Sequence, residues 1–184
     1  MSAHTLIHPP ERPLIGAKAK VRLPEPHDID ALVSYGDDPD VAETIWIPIP
    51  TPCSRNEAQE RLEEFKRGWN RESCFGPTLL VSDRENDEMI GVVFLREREQ
   101  DTVELSYGVA ANRRNRGIAT DAVALVSRWC LDDLSARQIE LRIGQTNFAS
   151  QRVAAKAGFH YEGIVHSKLA ATGESYDDVL YTLA

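Results

Sequence analysis

Thr102-Val103-Glu104-Leu105-Ser106-Tyr107-Gly108-Val109-Ala110-Ala111-Asn112-Arg113-Arg114-Asn115-Arg116-Gly117-Ile118-Ala119-Thr120 is the stretch that orders the rest of the chain. Its first eight residues alternate, with Val103, Leu105, Tyr107 and Val109 on one face and Glu104, Ser106 and Gly108 on the other. That is the period of a strand. After it, Ile118, Ala122, Leu125, Val126 and Trp129 mark a long amphipathic helix. Three arginines and a glycine stand between the two. A helix N-terminus has unpaired N–H groups and partial positive charge, so each cation there is unfavourable by roughly 0.3 kcal/mol or more. An anion would complete the arrangement: backbone N–H groups, helix dipole and arginine forks would converge on phosphate oxygens. Gly117 lets a backbone approach closely, and small Ala119 leaves room for a bulky group. The same residues also suit a solvated loop with a glycine hinge.

Outward from this segment the pattern is mixed α/β in one domain, without internal repeat or linker. Toward the N-terminus, residues 89–97 and 78–82 read as strands joined across a polar turn at 83–87. Ser54-Arg55-Asn56-Glu57 reads as a capping box, with Ala58, Leu62, Phe65 and Trp69 on one helical face. Residues 46–52 hold three prolines and read as an irregular loop. An earlier helix carries Ile29, Leu32 and Val33 and closes at Gly36 and Pro39; residues 19–23 make a short strand, and 1–17 an extended arm. Toward the C-terminus follow a strand at 139–143, a helix at 148–157 ended by Gly158, and strands near 159–167 and 175–183 around Ala171-Thr172-Gly173.

Length and charge bound the function. A chain of 184 residues fits one domain. No apolar run approaches the roughly 20 residues of a membrane helix, and the start shows no export signal. With 21 basic against 29 acidic residues the net charge is −8, which disfavours nucleic acid and favours cationic partners such as amines or basic peptides. Cys53, Cys74 and Cys130 are scattered, fitting a reducing cytoplasm rather than a disulfide framework or a cysteine zinc site. His27, His160 and His166 share no metal-ligand spacing, so no metal is assigned. Cys130, beside Trp129, reads as core. A dinucleotide-binding fold is disfavoured, because one glycine occupies a turn where that fingerprint needs three.

Arg114-x-x-Gly117-x-Ala119 resembles the pyrophosphate-binding motif of the GNAT N-acetyltransferase superfamily, at the same place between a strand and a long helix. Asn147-Phe148-Ala149-Ser150 and Lys156-Ala157-Gly158-Phe159 resemble a second family segment. Val21-Arg22-Leu23-Pro24, and Asp177 followed by Val179-Leu180-Tyr181, resemble the Rim-type branch, which includes ribosomal-protein N-terminal acetyltransferases. The likeness spans residues 20–183. It implies a single-domain fold at 18–184 with a mostly antiparallel sheet of about seven strands, the fourth and fifth splayed, and about four helices. It implies acetyl-CoA as donor. Tyr107, Gly108 and Val109 would offer backbone groups to the pantetheine, and Arg114, Asn115, Arg116, Gly117, Ile118, Ala119 and Thr120 would cradle the pyrophosphate. Asn147 would bond the pantetheine, while Arg152 or Lys156 would meet the 3′-phosphate.

Acetyl transfer to an amine needs a base for the amine and a proton for the leaving thiolate. Glu104, on the face opposite Val103 and Leu105, is the candidate base, or an ordinary strand glutamate. The tyrosine that many family members use as acid is Ala154 here, so Ser150 is the candidate acid, or a helix cap. The expected partners are acetyl-CoA and a primary amine, a protein or peptide N-terminus ahead of a small metabolite or antibiotic, with the enzyme monomeric or homodimeric. Trp46 could line an acceptor pocket. The alternative is a non-catalytic acyl-CoA-binding sensor.

Overall fold

The computed structural model describes residues 7–38, 52–73, 75–168 and 175–184. In chain order it has β1 (Leu14–Ile15), β2 (Ala19–Arg22), a 3-10 turn (Pro26–Asp28), α1 (Ile29–Gly36) and α2 (Arg55–Gly68). There follow β3 (Thr78–Asp83), β4 (Met89–Glu97), β5 (Thr102–Val109), a 3-10 turn (Ala111–Arg113) and α3 (Ile118–Asp132). The chain ends with β6 (Gln138–Gly144), α4 (Phe148–Lys156), β7 (His160–Lys168) and β8 (Ser175–Leu183). The expected loop at 46–51 with Trp46, the helix-closing Pro39, Cys74 and the 171–173 turn lie outside the described residues.

Among the described residues the strands form one eight-stranded sheet in the order β1-β2-β3-β4-β5-β6-β8-β7, in which only β5 and β6 pair parallel. Two cores explain why its central strands look apolar on both faces. Leu79, Val81, Val93, Leu95, Val103 and Leu105 face Ile118, Ala122, Val126 and Cys130 of α3. Leu80 and Val92 face Leu32 of α1 and Leu62 and Phe65 of α2. A strand covered on both sides gains from apolar residues at every position, each buried large side chain contributing about 1.5–3 kcal/mol. The capping box of α2 forms: the Ser54 N–H donates to Glu57 Oε2 at 2.7 Å, and the Glu57 N–H donates to Ser54 Oγ at 3.2 Å.

The eighth strand comes from the segment read as an arm. Leu14 and Ile15 pair antiparallel with Val21 and Lys20, and Ile7 is buried in the core with its N–H donating to Glu97 Oε1 at 2.8 Å. The feature that shapes the site is where pairing stops. β5 and β6 are in register only over Thr102↔Gln138, Val103↔Ile139 and Glu104↔Glu140. Beyond Glu104 the two strands part, and Tyr107 to Val109 stand beside a gap. These are the fourth and fifth strands of the sequence reading.

Candidate active site

A cavity of about 570 Å³ lies where β5 ends and α3 and α4 begin. Tyr107, Gly108 and Val109 form its wall from the strand, and Arg114, Asn115, Gly117, Ile118, Ala119 and Thr120 form the turn above it. Asn147, Ser150, Arg152 and Lys156 close it from α4. Thus thirteen residues named from sequence converge, although up to 49 positions separate them in the chain. Arg113, Ala149 and Val153 also line it and were not singled out. The spacing of Ala149, Arg152, Val153 and Lys156 is that of one helical face, so the last two named residues already pointed to the others.

Local physics builds the turn. Gly117 is the N-cap of α3 in left-handed conformation, with φ +78°. A Cβ there would also stand 2.7 Å from Lys18 Nζ. No side chain caps α3, so the first-turn N–H groups of Ile118, Ala119 and Thr120 are left for whatever occupies the cavity. Asp121 is otherwise engaged. Its carboxylate accepts the Lys18 and Ala19 N–H groups at 2.7 and 2.9 Å, tying the β1–β2 connection to the start of the helix.

The arginines divide. Arg113 pairs with Glu88 at 2.6 Å and Asp83 at 3.3 Å, bracing the turn against the β3–β4 connection. Arg114 donates from Nε to the Val109 carbonyl at 3.1 Å, folding back on its own strand. Arg116 is exposed and does not line the cavity; its carbonyl accepts Lys18 Nζ at 3.0 Å. Arg152 and Lys156 are exposed on α4 at the cavity's edge.

The two candidate catalytic residues stand apart. Glu104 is on the opposite face of β5, 8% exposed, with Oε2 accepting Arg98 Nε at 2.8 Å and facing Arg142 Nε at 3.4 Å. It is not an outward strand glutamate but the centre of an ion cluster at the last β5–β6 pair. Ser150 lines the cavity, its N–H donating to Asn147 Oδ1 at 3.0 Å and its Oγ 2.6 Å from the Tyr107 hydroxyl. Burial pushes the Tyr107 phenol up to about 12, against the lowering effect of Ser150.

An uncapped helix N-terminus at a left-handed glycine can receive an anionic group, and here it opens on the gap where the parallel strands β5 and β6 part. The sequence agrees: residues 19–160 match the acetyltransferase (GNAT) domain model. The chain belongs to the GNAT acetyltransferase family, whose donor is acetyl-CoA. It is similar to the probable N-acetyltransferase YjcK of Bacillus subtilis (strain 168), 32% identical over 120 residues. That match covers 64% of this chain and 61% of YjcK, so it spans about three-fifths of that relative. In fold the chain resembles ribosomal-protein-S5-alanine acetyltransferase from Vibrio fischeri, with TM-score 0.73 and 18% identity over 94% of this chain and 96% of the other. It equally resembles the microcin C7 self immunity acetyltransferase MccE, solved with acetyl-CoA and AMP, with TM-score 0.74 and 17% identity over 91% and 93% of the two chains. No helix among the described residues is long and apolar enough to cross a membrane.

Proposed function

We propose that this GNAT protein is an enzyme of the Rim-type branch, moving acetyl from acetyl-CoA to a protein or peptide N-terminal α-amine by direct transfer in a ternary complex. The observation that carries transfer is the placement of Ser150 inside the cavity and Glu104 on the other face of β5, at the point where the strands part. Sulfur and amine would then be served from opposite sides. The 114–120 turn holds the pyrophosphate with the first-turn N–H groups of α3. Asn147 uses Oδ1 to cap Ser150, so its NH₂ is the group left for the pantetheine. Arg152 or Lys156, both exposed at the cavity's edge, meets the 3′-phosphate.

In the transfer itself the amine nitrogen forms a bond to the acetyl carbon, the carbon–sulfur bond breaks, and its electron pair leaves on sulfur. Ser150 donates a hydrogen bond to that sulfur, which leaves as the stabilised thiolate. The proton released by the amine leaves on the other face, where Glu104 accepts it through Oε1, directly or by water, because Oε2 is held by arginines. No cysteine among the described residues lines the cavity, and Cys130 is fully buried with its thiol pushed up to about 12. A cysteine carrier for an acetyl-enzyme is therefore absent from the cavity among the described residues. Intersecting lines in two-substrate kinetics are expected; parallel lines would remove direct transfer.

The two fold neighbours are named for different roles, one for a ribosomal protein and one for microcin self immunity, at nearly equal similarity, so the acceptor rests on chemistry. An α-amine, with pKa about 8, is roughly a tenth neutral at pH 7, whereas a lysine amine near 10.4 is neutral in under about 0.1%. The site offers one carboxylate already engaged by arginines, which suits the more easily deprotonated amine. A chain of charge −8 also favours basic acceptors. The deciding measurement is kcat/KM for short basic peptides, free and N-terminally blocked, beside aminoglycosides and polyamines. Free peptides should lead. Activity confined to small amines would overturn the acceptor, and absence of turnover with every amine, despite acetyl-CoA binding, would leave a sensor module.

A further inference from the structure

We infer that Tyr107 is a positioning residue that turns Ser150 into a hydrogen-bond donor toward the sulfur of coenzyme A. This rests on the reading of Ser150 as the group that serves the leaving sulfur. Tyr107 lies three positions beyond the last β5–β6 pair, so no β6 residue stands in register with it. Its ring, on the face shared with Leu105 and Val109, crosses to α4, where the hydroxyl meets Ser150 Oγ at 2.6 Å and the Ser150 carbonyl at 3.3 Å. Both residues line the cavity.

A serine hydroxyl has one hydrogen and two acceptor positions. A serine in the first turn of a helix ordinarily directs that hydrogen to nearby backbone. Here Ser150 is held at two points: Asn147 fixes its N–H at 3.0 Å, and Tyr107 occupies one side of its Oγ. When the phenol donates to Oγ, the serine hydrogen is released toward the cavity. A donor chain of two hydroxyls also strengthens the terminal bond, because each polarises the next. Two roles are open to a tyrosine so placed: passing its proton along, or keeping it. A phenol pushed up to about 12 keeps its proton against a thiolate whose acid form titrates near about 8.5. Tyr107 therefore orients and polarises, and Ser150, a weaker acid still, gives the sulfur a hydrogen bond while keeping its own proton, so that coenzyme A leaves as the stabilised thiolate.

The test uses coenzyme A alone and reads the thiol, not turnover. Thiolate absorbance of bound coenzyme A is titrated in the wild-type protein, Tyr107→Phe, Ser150→Ala and the double variant, with affinity measured by calorimetry at a pH where the thiol is intact. A hydroxyl donor to sulfur stabilises the thiolate, so wild type should titrate lower than Ser150→Ala by about one pH unit or more. Tyr107→Phe, which keeps the ring, should move most of the way to Ser150→Ala. The double variant should titrate with Ser150→Ala. Replacing Tyr107 by 3-fluorotyrosine, a stronger donor of the same shape, should lower the thiol titration further, which a packing role would not do. If Ser150→Ala shifts the thiol and Tyr107→Phe does not, the inference fails and the serine reading stands. A shift from Tyr107→Phe that persists without Ser150 overturns action through the serine. If Ser150→Ala titrates as wild type, the reading of Ser150 fails and the inference falls with it.

Discussion

Two arginine-bearing sites in this protein differ in what they leave unfinished. Arg22, at the end of β2, is 2% exposed and closed on itself. It donates to both oxygens of buried Asp28 at 2.7 and 2.8 Å, to Asp87 Oδ1 at 2.9 Å, and to the carbonyls of Leu23 and Asp87 at 3.1 and 3.0 Å. Nothing else is needed to satisfy it. At the start of α3, by contrast, Arg113 and Arg114 turn back to brace the turn, and the helix N–H groups with Arg152 and Lys156 border open space. The lesson is that an arginine's count of neighbours says less than whether its donors, and those of the backbone around it, are all met from within the protein. A closed cluster serves stability; a converging set of unmet donors serves a ligand.

The comparison breaks first at Arg22. Arg22→Met should cost about 3–5 kcal/mol in urea denaturation, because it strands the Asp28 carboxylate in the interior. Acetyl-CoA affinity of the folded fraction should stay within about twofold. Weak binding without loss of stability would mean that the two clusters are not separable in this way.

At Gly117 the effect should reverse its target. Gly117→Val forces a β-branched residue into left-handed backbone and places Cβ against Lys18 Nζ. Calorimetry should show acetyl-CoA affinity falling tenfold or more, about 1.4 kcal/mol. Unchanged affinity would put the pyrophosphate elsewhere.

Smaller still are the exposed cations. Arg152→Ala and Lys156→Ala should each weaken acetyl-CoA by about 0.2–1 kcal/mol, less at high salt, with no change in melting temperature. Equal loss at all salt concentrations would point to packing rather than charge.

The slightest expected effect sharpens the closed cluster. Burial pushes the Asp87 carboxyl up, but hydrogen bonds from Arg22, Lys20 and Ser82 and the Arg22 charge outweigh this and hold it well below the usual range. A depressed folded value means its stabilisation is complete above the unfolded value near about 3.9 and is lost as pH falls toward the folded one. Asp87→Asn should therefore show a shallower loss of stability than wild type on acidification below pH about 4, and a pH dependence parallel to it above pH about 5. Parallel curves throughout would show that the cluster does not respond to Asp87 charge.

Much of this molecule was written locally. The alternation at Val103 to Val109, the Ser54–Glu57 box and the Arg114-x-x-Gly117-x-Ala119 turn each depend on residues a few positions apart, and the backbone obeys such short-range rules wherever the chain places them. The convergence of these pieces was also legible, through the motif order. Contacts between distant segments were not. Whether Glu104 faces water or arginines depends on Arg98 across a hairpin and Arg142 on β6, and that depends on sheet order and register. Leu14 and Ile15 form a strand only because β2 offers an unpaired edge, and two residues carry no readable period. Tyr107 and Ser150 are 43 positions apart, and the meeting of their hydroxyls follows from the parting of β5 and β6. Periodicity tells a side chain which face it takes; only packing decides what waits for it there.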